Sequence, residues 1–200
     1  LDQARRHGAM IVEDDYDCEY RYDGRPLDAL QTLAPEQVCY VGTFSKTMFA
    51  ALRLGYAVIP QSLRNDLLSI RKVADGFCAP VPQLALASFI REGHLHRHIR
   101  RMQRTYADRR IKLVDGLRLR LGDRIETIPS TAGLHFSFRL VEPGKLDLAL
   151  RKALKRKVAF ELCSRYSVGG FSGDCCAIGF GSLPDDLVEP CLNHLSSIFE

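Results

Sequence analysis

Short apolar runs punctuated by glycine and proline alternate along this chain with longer stretches of helical spacing. Met10 to Val12 is an apolar run that ends in Glu13, Asp14, Asp15 and Tyr16. A central parallel strand delivers polar groups to a ligand at its carboxyl end in this way. Val38 to Thr43 and Leu54 to Ile59 are runs of β-branched and aromatic residues, and they predict two more buried strands. Leu1 to Gly8 reads as the tail of a helix closed by a glycine. Asp23-Gly24-Arg25-Pro26 is a turn signal, and Pro35 breaks the segment before Val38. A helix opens at Pro60-Gln61-Ser62 with an apolar stripe of Leu63, Leu67, Leu68, Ile70 and Val73, and Asp75-Gly76 ends it. Pro80-Val81-Pro82 introduces another, from about Gln83 to Glu92.

Gly93 is the expected boundary between two domains, residues 1–93 and 94–200. From His94 to Leu121 the spacing predicts one long helix carrying Arg97, Arg100, Arg101, Arg104, Arg109, Arg110 and Lys112. These cations are read as a solvated face, with Ile99, Met102, Tyr106, Ile111, Leu113 and Leu117 turned inward. A basic face for nucleic acid is the competing reading. Ile125 to Ile128, Ala132 to Val141, Val158 to Leu162 and Cys175 to Phe180 read as strands, Lys145 to Lys157 and about Leu183 to Phe199 as helices, and Ser167 to Gly173 as a loop. The last third is thus an α+β layer with helices over a mostly antiparallel sheet.

Composition narrows the class. Two hundred residues, 46% of them hydrophobic, suffice for one or two globular domains. The net charge of +4 is modest, and no apolar run is long enough for a membrane span or a signal sequence. Seven scattered cysteines with no CxxC pair suggest reduced thiols in a cytoplasmic protein, the adjacent Cys175-Cys176 pair serving packing. His94, His96 and His98 lack a completing ligand, and the acidic run from Glu13 to Glu19 lacks the glycine and spacing of a calcium loop. No metal is expected.

The loop between the second and third strands carries the chemistry. Lys46 and Arg53 stand among small, hydroxylated and apolar neighbours. A lysine held against Phe44, Met48 and Phe49 would lose solvation and offer a neutral amine to a carbonyl carbon. The hydroxyls of Thr43 and Ser45, loop N–H groups and the Arg53 cation would make a phosphate seat. Asp, Tyr, Lys and Arg in that order are what pyridoxal 5'-phosphate requires: a partner for the pyridine nitrogen, one for the ring oxygen, a Schiff-base amine and a phosphate cation.

With these residues in view, the chain resembles the MocR-type regulators of the GntR family, which join an N-terminal winged helix to a domain similar to fold-type-I aminotransferases. The resemblance rests on IVEDDYDCEYRY (Ile11 to Tyr22), LDALQTL (Leu27 to Leu33), GTFSKTMFAALRLG (Gly42 to Gly55), PVPQLALASFI (Pro80 to Ile90) and AGLH (Ala132 to His135). It implies an α/β fold, the C-terminal part of a fold-type-I PLP-dependent domain: a portion of the large parallel-sheet domain plus a small α+β domain. It further implies Lys46 as the Schiff-base lysine, Asp14 on the pyridine nitrogen, Tyr16 on the ring oxygen, and Thr43, Ser45 and Arg53 on the phosphate. Asp15 rivals Asp14, because adjacent strand residues point to opposite faces.

By the same resemblance the expected function is that of an effector-binding sensor domain taking a small amine or amino acid. The intact protein would be a homodimer, binding DNA only through a winged-helix domain outside these residues. The helix tail at Leu1 to Gly8 reads as the start of a C-terminal part of a longer polypeptide. The alternative is an aminotransferase acting on an amino acid. Against it, the position where such enzymes carry a carboxylate-binding arginine aligns with Ala177, with Arg165 as a conceivable substitute.

Overall fold

A computed structural model describes residues 1–24, 27–74, 76–142, 144–155, 158–168 and 174–199. Arg25 and Pro26 of the expected turn, Asp75 at the expected helix end, Arg156 and Lys157 of the later helix, and residues 169–173 of the expected loop lie outside the described residues. Two compact units emerge: Leu1–Glu19 with Gly24–Arg100, and Tyr20–Asp23 with Arg101–Glu200.

The first unit contains α1 (Asp2–His7), β1 (Ile11–Asp15), α2 (Leu30–Leu33), β2 (Val38–Thr43), β3 (Gly55–Val58), α3 (Arg64–Ala74) and α4 (Pro80–Arg91). Its sheet has the order β1-β2-β3, with β1 parallel to β2 and β3 antiparallel to it. Gly8 closes α1 in the left-handed conformation, at φ 59°, which a glycine adopts without the steric cost of a Cβ. The Glu13 carboxylate caps α2 by accepting from the backbone N–H groups of Leu30 and Gln31 at 3.0 and 3.1 Å.

Two expectations change here. The third strand is not buried: it forms an edge of the sheet and all four of its residues are exposed. The helix expected from Gln83 begins at Pro80 instead. Pro80 and Pro82 occupy its first turn, where N–H groups have no partner within the helix and a fixed φ is suitable.

The second unit contains most of α5 (His94–Leu121), then β4 (Ile125–Ile128), β5 (His135–Leu140), α6 (Leu146–Lys155), β6 (Glu161–Leu162), β7 (Cys175–Gly179) and α7 (Val188–Phe199). Its antiparallel sheet has the order β4-β5-β7-β6. The core lies here: Leu113, Leu117, Phe136, Phe138, Cys176, Phe180, Leu192 and Leu195 are among its most deeply buried members.

The long helix forms as expected, but not all its cations are solvated. Arg109 is buried, and Ile111, expected inside, is exposed. Arg109 falls on the helical stripe of Tyr106, Leu113 and Leu117, three residues after the first and four before the second. Its guanidinium donates to the Phe180 and Gly181 carbonyls at 2.9 and 3.0 Å and to Asp185 at 3.0 Å, which compensates its desolvation.

Cysteine chemistry also differs from expectation. Cys163 and Cys175 form a disulfide, with Cα atoms 5.3 Å apart. The β6–β7 register, with Glu161 opposite Ala177 and Leu162 opposite Cys176, brings Cys163 opposite Cys175 at the next step. Cys176 is fully buried in the core, where burial pushes its thiol up to about 12.

Candidate cofactor site

The alternation of β1 separates its carboxylates. Ile11, Glu13 and Asp15 are half-buried on one face, while Val12 and Asp14 are exposed on the other. Glu13 is occupied by the N-terminus of α2. Asp15 accepts the Tyr40 hydroxyl at 2.9 Å and the Cys18 N–H at 3.2 Å. Among the described residues no hydrogen bond or ion pair engages Asp14.

Parallel pairing sets Asp14 beside Val41 and Asp15 beside Gly42. Thr43, two residues after Val41, therefore shares the face of Asp14, and Tyr16 follows directly after the last residue of β1. One side of the sheet thus presents a carboxylate and a hydroxyl at the carboxyl ends of two parallel strands, with the exposed phenol of Tyr16 next in the chain. The other side supports them. Gly42 lies opposite Tyr56 of β3, and a Cβ at Gly42 would meet the Tyr56 ring at 2.5 Å, so any other residue here would have to displace that ring. The Tyr40 and Phe44 rings lie 6.1 and 5.5 Å from that of Tyr56. Burial, reinforced by the Asp15 carboxylate, holds the Tyr40 phenol protonated well above its ordinary range.

The loop after β2 turns at once. The Ser45 N–H donates to the Thr43 hydroxyl at 3.1 Å, and the Met48 N–H donates to the Phe44 carbonyl at 2.8 Å. Thr43 and Ser45 are half-buried, whereas Lys46 and Arg53 are exposed. The apolar enclosure expected around Lys46 is therefore not provided: Phe49 is itself exposed, and Phe44 and Met48 are only half-buried. Arg53 follows the short turn Ala50–Leu52 at φ 52° and is the one non-glycine with positive φ among the described residues. Such a conformation costs an arginine roughly 1 kcal/mol or more, and residues held this way cluster at ligand sites.

Thr47 was not singled out from sequence. It is buried, and its hydroxyl has no hydrogen-bond partner among the described residues. Nothing in the local pattern distinguishes it from the other hydroxylated residues of the loop. Tyr40 and Tyr56 were likewise read only as strand formers, although the glycine inside β2 was a signal that something approaches the backbone there.

A carboxylate, a phenol, a primary amine, two hydroxyls and a guanidinium, all reachable from solvent, fit the donor set that pyridoxal 5'-phosphate needs. A family model for aminotransferase class I and II matches residues 1–169. The chain belongs to this family. It is 34% identical over 200 residues to the probable rhizopine catabolism regulatory protein MocR of Rhizobium meliloti, covering 100% of this chain and 41% of that protein. It is 31% identical over 195 residues to the HTH-type pyridoxine biosynthesis transcriptional regulator PdxR of Corynebacterium glutamicum, covering 96% and 42%. In fold it matches the α-aminoadipate aminotransferase LysN of Thermus thermophilus with a TM-score of 0.87, at 21% identity, over 99% of this chain and 52% of the other. This aminotransferase-family chain therefore spans about two fifths of the regulators' length and about half of the enzyme's. Its fold is the α/β fold of fold-type-I aminotransferases.

Proposed function

We propose that this chain is the pyridoxal 5'-phosphate-binding part of a MocR-type transcriptional regulator, with Lys46 as the residue that binds the cofactor covalently. The observation that carries the reading is the shared face of Asp14 and Thr43 at the carboxyl ends of β1 and β2, with Tyr16 next after β1 and with Ser45, Lys46 and Arg53 on the segment that follows β2. The names of the MocR and PdxR relatives, which are regulators, support the assignment to regulation rather than metabolism. When bound, the cofactor would supply an electrophilic carbon for an amine and an electron-withdrawing ring. The chain's part is to hold it. Asp14 keeps a proton on the ring nitrogen, Tyr16 orients the ring oxygen, and Thr43, Ser45 and Arg53 receive the phosphate.

The effector in this reading is a small amine or amino acid that favours one conformation of the whole regulator through its differential affinity. DNA contact belongs to a winged-helix domain outside these residues, and the working form is a cytoplasmic homodimer. No helix among the described residues is long and apolar enough to cross a membrane. The test is the visible absorption of the chain with added pyridoxal 5'-phosphate, followed by borohydride reduction and peptide mass mapping. A reduced adduct on Lys46, lost in Lys46→Ala, is the expected result. An adduct retained in full by Lys46→Ala would refute the assignment.

The second reading is an aminotransferase, and the match to the aminotransferase class I and II family favours it. Against it stands Ala177 on β7, where the resembled enzymes carry their carboxylate-binding arginine. Arg165 is a poor substitute, because it is already paired with Glu161 at 3.0 Å. Transfer of an amino group to a 2-oxo acid by the full-length protein would decide for the enzyme.

A further inference from the structure

We propose that the second unit carries a separate site for a phosphate group, in the pocket formed where α5 passes the β4–β5 hairpin. The pocket measures about 220 Å³, and Arg110, Arg118, Thr127, Ser130, Thr131 and Ser137 supply its cations and hydroxyls. At about 30 Å³ per water this is room for about seven waters, so a phosphate with a small organic substituent fits.

The two guanidinium groups make the site. Arg110 and Arg118 are eight residues apart on α5 and so lie close to one face of the helix. Neither is paired with a carboxylate among the described residues. Arg110 is held in place: it donates to the Ser130 carbonyl at 2.6 Å, and its guanidinium lies 5.4 Å from the centre of the Tyr22 ring. Its Nε is buried and has no hydrogen-bond partner among the described residues. Arg118 donates to the Thr127 hydroxyl. Asp23 also lines the pocket and is its only carboxylate among the described residues, leaving the pair of arginines in excess. Two guanidinium groups beside four hydroxyl-bearing residues match the several acceptor oxygens of a phosphate better than the two of a carboxylate. Tyr22, Arg110 and Ser130 thus have a recognition role beyond packing.

The test is titration of the protein with inorganic phosphate and with glycerol phosphate, read by calorimetry and by thermal melting. Every arm carries Arg53→Gln, so that the loop after β2 does not contribute. Saturable binding of one phosphate, a melting temperature raised by at least about 3 °C at saturation, and affinity reduced at least tenfold by Arg118→Gln are expected. Arg118 is exposed, so Arg118→Gln should melt within about 1 °C of its parent without ligand. Arg110→Gln should have the larger effect on binding, and Arg118→Gln remains decisive should Arg110→Gln fail to fold. The proposal is overturned by absence of saturable binding, by binding that Arg118→Gln leaves unchanged, or by acetate binding as tightly as phosphate. Glycerol phosphate binding more tightly than inorganic phosphate would identify an organic phosphate as the occupant, and the reverse order the free ion.

Discussion

The Tyr40 hydroxyl donates to the Asp15 carboxylate at 2.9 Å, and Asp14, one residue earlier, points to the other side of the same strand. The two aspartates should therefore fail differently. Asp14→Ala is expected to leave stability within about 0.5 kcal/mol, as for an exposed side chain, while lowering cofactor affinity at least tenfold. Asp15→Ala removes the acceptor of two hydrogen bonds and should cost about 1–3 kcal/mol, with cofactor affinity recovering where the chain remains folded. Denaturant unfolding and cofactor titration of both variants check this pair.

Arg53→Gly separates the phosphate seat from backbone strain. The left-handed conformation that costs arginine roughly 1 kcal/mol costs glycine little, and the added freedom of glycine in the unfolded chain offsets most of that gain. Stability should change by less than about 1 kcal/mol, whereas the loss of a charged hydrogen-bond donor should weaken phosphate-dependent cofactor binding tenfold or more.

Arg109→Leu is expected to be among the most damaging single changes in the second unit. It strips the Phe180 and Gly181 carbonyls of their donor and leaves Asp185 unpaired, at a cost of about 2–4 kcal/mol by denaturant unfolding. Arg109→Lys should recover only part of that loss, because an ammonium cannot reproduce the fork.

Glu19 supplies a pH dependence. Burial, followed by the charges of Asp15 and Asp17, raises its carboxyl above the ordinary value. Between that ordinary value and the raised one the folded chain binds the proton more tightly than the unfolded chain. Glu19 therefore favours the fold at low pH, and that contribution is lost as pH rises through the folded value. Glu19→Gln should stabilise the chain at pH 7 and change little at pH 4 when unfolding is followed at both.

The patterning foretold β1, β2, the long α5, the antiparallel sheet of the second unit and the loop that carries Lys46, because each rests on a bounded apolar run or a helical period long enough to stand out. Which aspartate is taken up by neighbouring residues was beyond it, since a period of two is blind to which face is which until Tyr40 and Cys18 engage Asp15. Arg109 was read as one more solvated cation, although its place on the stripe between Tyr106 and Leu113 was visible. Its burial depends on carbonyls some seventy residues later, which no local pattern announces. The Cys163–Cys175 pair arises from a register that spacing alone does not fix. Lys46 and β3 come out exposed because hydrophobic sequence expresses a need for cover, not its presence.

The buried hydrophobic residues are divided very unequally between the units: among the described residues only Val38 and Leu86 belong to the first. Heat should accordingly find two thresholds in this chain. The first unit would loosen at a lower temperature and the second would hold until its own core gives way, so calorimetry should depart from a single cooperative transition. A ligand seated by Lys46 would lift only the lower threshold, and one held by Arg110 and Arg118 only the upper.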